Sequence, residues 1–163
     1  MKKNRVRNLT FGALIAALYV GLTFVSQVFG LASGAIQLRL SEALTILPVF
    51  CPAAVPGLAV GCLLANWLTG CALWDVIFGT VATLLGAVGT RLLKKHKLLA
   101  VLPPIAANTV IVPLLLRYVY ELPDAMWYLV VTVFLGELVS CGVFGTLLRK
   151  LLEKTGLDKK LPG

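Results

Sequence analysis

Apolar residues run along this chain in long, nearly unbroken stretches, and short polar patches separate them. An α-helix crosses a bilayer with about 20 mostly apolar residues. The stretches near 9–29, 75–93, 98–120 and 126–148 meet that length. Between the first and second of these lies SEALTILPVFCPAAVPGLAVGCLLANWL, which prolines at 48, 52 and 56 interrupt. Proline breaks a helix interior, so two shorter spans are expected there, near 42–51 and 57–68, with a tight turn around Pro52 to Pro56. A single broken crossing with a re-entrant piece is the competing layout. The pattern predicts an all-α membrane protein. It is a compact bundle of six transmembrane helices forming one integral domain over residues 1–163.

Composition agrees with the pattern. The chain is 59% hydrophobic and 13% charged, with mean hydropathy +0.93, where soluble domains carry about a quarter charged residues. The basic start and apolar follow-on of MKKNRVRNLTFGALIAALYVG have the order of a signal peptide. The apolar run continues to Phe29 without a small-residue cleavage site, so it is read as a retained first span.

Charge adds the orientation. Thirteen of the 15 Lys and Arg fall in three clusters: Lys2, Lys3, Arg5 and Arg7; Arg91, Lys94, Lys95 and Lys97; Arg149, Lys150, Lys154, Lys159 and Lys160. The positive-inside rule puts all three in the cytoplasm, and with them both termini. The net charge of +8 is then explained by topology and lipid headgroups, not by nucleic acid. Arg39 and Arg117 are the two exceptions and fall on the external side. Segment 30–40 reads as an external loop, and Leu157 to Gly163 as a frayed tail.

With that topology the polar residues converge. Arg39 and Glu42 stand at the outer start of the second span, and Asn66 and Trp67 at the outer end of the third. Trp74 and Asp75 open the fourth, and Arg117, Tyr118 and Tyr120 end the fifth. Asn108 lies deeper in the fifth. Trp127 and Tyr128 open the sixth, with Glu137 about three turns further in. Each has a structural reading: an interfacial belt for the tryptophans, interhelical hydrogen bonds for Asn66 and Asn108, a helix-start pair for Arg39 and Glu42. An acid inside a span, as Glu137 is, needs a partner or a ligand. Taken together, the polar set predicts a one-sided pocket for a polar, planar, nitrogen-rich solute, read by carboxylates and amides and stacked on aromatic faces.

Two further patterns bear on function. Gly12, Ala13, Ala16, Ala17 and Gly21 repeat in the first span, and Ala13, Ala17 and Gly21 share one stripe. Such a stripe lets another helix approach closely, either inside this chain or on a partner. Cys51, Cys62, Cys71 and Cys141 form no CxxC pair, and His96 is the single histidine. No metal site, cofactor site or catalytic constellation is expected from them, although a Cys62–Cys71 bridge stays open. No GxxxxGK[ST] motif and no inverted repeat is present. These absences argue against Walker-type ATP binding and an inverted-repeat transporter, and the residues by themselves read as a small membrane protein with a one-sided solute pocket. A structural membrane protein and a self-sufficient facilitator using Glu137 are the rival readings.

The strings QLRLSEALTILP, GLAVGCLLANWL, WDVIFGTVATLLGA and PPIAANTVIV resemble the QueT family. Its members are substrate-binding S components of energy-coupling-factor (ECF) transporters, and the resemblance spans about Leu9 to Leu148. It implies six helices with cytoplasmic termini in a bacterial plasma membrane. It also implies a solute pocket on the outer side, a transmembrane coupling protein of the EcfT type and two cytoplasmic ATPases. The coupling protein is expected on an A-x-x-x-A motif, matched by Ala13 to Ala17. The implied cargo is a queuosine precursor, a 7-deazaguanine or queuine, whose donors suit Glu42, Asp75 and Glu137.

Overall fold

A computed structural model describes residues 2–31 and 37–162 of the chain. The described residues form helices and connecting turns, in the order α1 (Lys2–Val28), a 310 segment (Leu40–Val49), α2 (Ala54–Leu68), α3 (Leu73–Leu92), α4 (Leu102–Tyr118), α5 (Met126–Glu137) and α6 (Gly145–Thr155). A π-helical stretch, Leu138–Phe144, joins α5 to α6, so that Met126–Thr155 is one continuous rod. Among the described residues, four helices are long and apolar enough to cross a membrane: Arg5–Val28, Leu73–Leu92, Leu99–Tyr118 and Met126–Thr155. Leu40–Val49 and Ala54–Leu68 are shorter apolar helices. The expected external loop at 30–40 falls partly on residues 32–36, which lie outside the described residues.

The 310 segment is the centre around which the others pack. α1, α2, α3, α6 and the π stretch all contact it. Ser41, Glu42 and every residue from Leu44 to Val49 are buried. Its sequence is LSEALTILPV, with Pro48 near its end, and the last carbonyls of a helix lack intrahelical donors. Arg91 Nη1 donates to the carbonyl oxygens of Pro48 and Val49, at 3.0 and 3.3 Å. At about 2.0 Å rise per residue, ten 310 residues extend roughly 20 Å, against about 15 Å for an α-helix. The stretched form carries the chain from the level of Asn66 to the level of Arg91.

α1 and α2 run side by side with almost no side chain between them. A Cβ at Gly57 would lie 2.6 Å from the Gly12 carbonyl oxygen, and one at Gly61 would lie 3.0 Å from the Ala16 Cα. Positions 12 and 16 thus meet 57 and 61 in register, so the two helices are parallel. Gly12 and Ala16, two of the small residues of the first span, are used up in this internal contact. Ala13, Ala17 and Gly21 are exposed, Ala13 beside a groove shared with Pro56, Gly57 and Val60, and nothing lies within 4 Å of a Cβ built at Gly21.

Apart from Arg39 and Arg117, the described basic side chains lie at the opposite end of the bundle from Asn66. Lys97 Nζ pairs with Glu153 Oε1 at 2.7 Å and lies over the Phe50 ring, 5.6 Å from its centroid. α6 stops at Gly156, which takes φ of 68°, the left-handed geometry of a helix C-terminus. The tail beyond it is not frayed as expected. Leu157–Lys160 forms a 310 turn, Leu161 packs on the core, and Pro162 is buried. All four cysteines are free thiols, so Cys62 and Cys71 are not bridged.

Gly57→Ala should force α1 and α2 apart and cost about 1–3 kcal/mol, the range for overpacking. Gly21→Ala, on the open side of the same helix, should be neutral or raise stability through helix propensity. Thermal unfolding of the two variants in detergent checks this, and equal midpoints would contradict the packing described.

Candidate functional site

Glu42 is the third residue of the 310 segment and is 1% exposed. A buried carboxylate must be hydrogen-bonded. The Tyr19 hydroxyl, from α1, donates to Oε1, and Asn108 Nδ2, from α4, lies 3.5 Å from Oε2. The Glu42 carbonyl oxygen accepts from Thr45 Oγ1 at 2.6 Å and from the Cys141 thiol at 3.6 Å. Cys141 also meets Glu137, its Sγ standing 3.1 Å from Oε2. The nearest ligand atoms of Glu42, Glu137 and Cys141 lie within 4.8 Å of one another, and all three residues are buried. This mixed set of hard carboxylates and a softer thiol is already tied up in hydrogen bonds to Tyr19, Asn108 and Thr45, which makes it a hydrogen-bonded cluster.

Arg39 is not the partner of Glu42 that the three-residue spacing suggested. Among the described residues the ion pair is Lys97–Glu153. The extended backbone at Arg39 (φ −107°, ψ 102°) precedes the helix, so Arg39 does not share a helical face with Glu42. Its Nη2 reaches Asn66 Oδ1 at 3.1 Å, and its backbone N–H donates to Ser140 Oγ at 3.2 Å. Asn66 in turn is 1% exposed and bridges Cys62 Sγ and the Asp75 carbonyl, at 3.7 and 3.5 Å. Gly79 permits this, since a Cβ there would stand 2.9 Å from Asn66 Nδ2. Gly136 does the same beside Glu137: a Cβ would be 2.2 Å from the Gln37 carbonyl oxygen. The chain leading to Arg39 therefore passes directly over α5.

These groups surround a cavity of about 40 Å³, lined by Gln37, Arg39, Asp75, Val112, Leu115, Leu116, Tyr120, Val133 and Glu137. Arg39, Asp75 and Glu137, expected from the sequence, are brought together at it. Glu42 and Asn108 lie behind Glu137, and Asn66 behind Arg39. Glu42 is therefore not at a rim. At the mouth, the Tyr120 hydroxyl donates to Asp75 Oδ2 at 2.7 Å and accepts the Ala72 N–H at 3.2 Å. Burial and the bond to the Asp75 carboxylate push the Tyr120 hydroxyl well above its ordinary pKa. Arg117 is used locally, its Nη1 donating to the carbonyls of Leu122 and Asp124 at 2.9 and 3.4 Å.

The three tryptophans are not part of this cavity. Trp67, Trp74 and Trp127 are 64%, 57% and 70% exposed. Trp74 stacks on Phe78 with centroids 5.9 Å apart, and Trp127 meets Tyr128 edge-on at 6.0 Å. Their helical positions turn them outward, as an interfacial belt does. A separate groove of about 700 Å³ between α3 and α4 is lined by Trp74, Phe78, Val81, Ile111, Leu114, Leu115, Tyr118 and Val119. Almost wholly apolar, it offers little to a polar solute.

The sequence reading missed Tyr19, Cys141, Ser140 and Thr45. One signal was available: a tyrosine in the middle of an otherwise small and apolar span needs a partner for its hydroxyl.

Comparison with known proteins places the chain in a family. A protein of Lactococcus lactis subsp. cremoris (strain MG1363), named queuosine precursor transporter QueT, is 28% identical over 175 residues, covering 98% of this chain and 100% of that protein. No solved structure matches the chain. The family model described as QueT transporter matches residues 9–154. The described residues are helical, with four helices of membrane-crossing length among them, and the chain belongs to the QueT transporter family.

Proposed function

We propose that this chain is the substrate-binding S component of an ECF-type importer for a queuosine precursor. In this reading it sits in a bacterial plasma membrane with six crossings and both termini in the cytoplasm. It is a transport subunit and catalyses no reaction. One observation carries the reading. Three acids, a guanidinium and two amides from the 310 segment and its approach, α2, α3, α4 and α5 meet inside an apolar bundle, around a cavity that Arg39, Asp75 and Glu137 line. Ionisable groups inside a membrane protein are retained for a ligand or a pathway.

The proposed cargo is a 7-deazaguanine, as the name of the Lactococcus relative suggests. The guanine-like edge presents N–H donors, which the Glu137 carboxylate accepts, and a ring carbonyl, which Arg39 reaches. An aminomethyl cation on the ring suits Asp75 or Glu42. Ligand pockets hold about 300–1,000 Å³, far more than the 40 Å³ found, so binding a solute of this size requires the cavity to widen. Opening breaks the Tyr120–Asp75 bond and frees the Asp75 carboxylate for the solute. The solute enters on the outer side and leaves inward when partners shift the chain to a state of lower affinity. Uniformly tight binding would move nothing.

The proposed partners are a coupling protein of the EcfT type and two cytoplasmic ATPases. The exposed stripe of Ala13, Ala17 and Gly21 is the docking face. It supports the reading that Gly12 and Ala16 pack against α2 while Ala13, Ala17 and Gly21 are exposed, with open space around Gly21.

Glu137→Gln should weaken 7-deazaguanine binding to the purified protein by about 1–3 kcal/mol, the range for a bond to a charged group. Glu42→Gln should act in the same direction, and Trp127→Ala should stay within about 0.5 kcal/mol of the parent. Titration calorimetry with 7-aminomethyl-7-deazaguanine and queuine measures this; a parent protein that binds neither overturns the cargo assignment. Solute uptake into vesicles holding the chain alone, without ATP, would overturn the ECF assignment. For docking, Ala13→Trp with Ala17→Trp should abolish co-purification with the coupling protein and leave solute affinity unchanged. Loss of solute affinity instead would place the stripe in the core.

A further inference from the structure

α1 carries two different faces. Ala13, Ala17 and Gly21 point away from the bundle, while Tyr19, Thr23 and Ser26 on the other side are buried. Those three side chains all bind the start of the 310 segment. The Tyr19 hydroxyl donates to Glu42 Oε1, Thr23 Oγ1 is 3.0 Å from Ser41 Oγ, and Ser26 Oγ accepts the Leu40 N–H at 2.9 Å. Successive residues of the segment that carries Glu42 are therefore held by successive turns of α1.

Of the three, Tyr19 is the one that touches an ionisable group. It is 1% exposed, and its Cβ is where a side chain at Gly61 would collide, at 2.8 Å. Gly61 thus leaves the ring in a slot between α1 and α2 with its hydroxyl aimed at the carboxylate. Glu42 Oε1 is occupied by Tyr19, and Oε2 faces Asn108. The nearest carboxylate oxygens of Glu42 and Glu137 are within 4.8 Å. With no donor on Oε1, the Glu42 carboxylate is free to rotate against Glu137, which lines the cavity.

We propose that Tyr19 is a positioning residue of the solute site, fixing the Glu42 carboxylate beneath the cavity. It touches no cavity surface itself and acts through Glu42. The proposal rests on the solute-binding reading above and adds a residue from α1, the helix whose outer face is the proposed docking surface. Movement of α1 and alignment of the buried acid are then one event.

The test combines binding with a measurement that needs no solute. Tyr19→Phe keeps the ring beside Gly61 and removes the donor. Its affinity for 7-aminomethyl-7-deazaguanine should fall about tenfold or more, as for a lost hydrogen bond to a charged group. In a Glu42→Gln background the same change should alter affinity less than about twofold, because its route of action is gone. A packing role would give equal losses in both backgrounds and would overturn the proposal, as would unchanged affinity of Tyr19→Phe. Without solute, the infrared carboxyl band removed by Glu42→Gln should shift in Tyr19→Phe. Reciprocally, the tyrosine C–O band removed by Tyr19→Phe should shift in Glu42→Gln. If Tyr19→Phe does not fold, a Glu42→Gln spectrum still differs from the parent in its tyrosine C–O region if the bond exists, and an unshifted band rejects the proposal. Absence of binding by the parent protein would remove the cargo assignment, and the infrared bands would then decide whether Tyr19 holds Glu42.

Discussion

Two carboxylates inside an apolar bundle set the constraint that the rest of this structure answers. Glu42 and Glu137 are 1% and 7% exposed, in a chain whose other surfaces are mostly hydrocarbon. Burying a charge without partners costs several kcal/mol even after relaxation. The fold meets this with donors from three sides: Tyr19 from α1, Asn108 from α4, and Cys141 from the π stretch. Removing any one leaves a polar group in a medium that cannot replace it. That explains why two unusual helices meet here. The 310 segment stretches far enough to join both ends of the bundle. The π stretch begins directly after Glu137 and places Ser140 and Cys141 against Arg39 and Glu42. π-helical insertions of this sort occur frequently at functional sites.

Close backbone approach is the second requirement. Glycines at 57, 61, 79 and 136 stand where any side chain would collide with the Gly12 backbone, Tyr19, Asn66 or Gln37. Without helix–helix hydrophobic attraction in lipid, such small-residue contacts supply much of the packing. They also bring polar groups from different helices within bonding distance. The division of α1 follows from the same economy of space. Its inner stripe is consumed by α2 and the 310 segment, and its outer stripe is left smooth.

Much of this was legible in the sequence, for stated reasons. Four long apolar runs mark the four helices of crossing length, because hydropathy over a span is a property of composition alone. The prolines at 48, 52 and 56 correctly signalled that 42–68 is not one helix. They did not reveal a 310 segment, which depends on the distance it must cover. Arg39, Asp75 and Glu137 were rightly brought together by depth. The structural alternative for Arg39 and Glu42, a helix-start pair, does not form, since an i, i+3 argument holds only inside a helix and Arg39 precedes it. The tryptophans face outward and not into the cavity, because depth along a helix carries no azimuth. Tyr19 was overlooked because its partner lies 23 positions away and only the tertiary fold joins them.

The account's central claim is that a polar solute is bound where Arg39, Asp75 and Glu137 converge. An experimental structure of the chain with a bound 7-deazaguanine tests it most directly. The account predicts the ring in an enlarged version of the present cavity, within hydrogen-bond distance of Glu137 and Arg39, with the Tyr120 hydroxyl released from Asp75. A ring seated in the apolar groove between α3 and α4, or a cavity unchanged with the solute elsewhere, would contradict it.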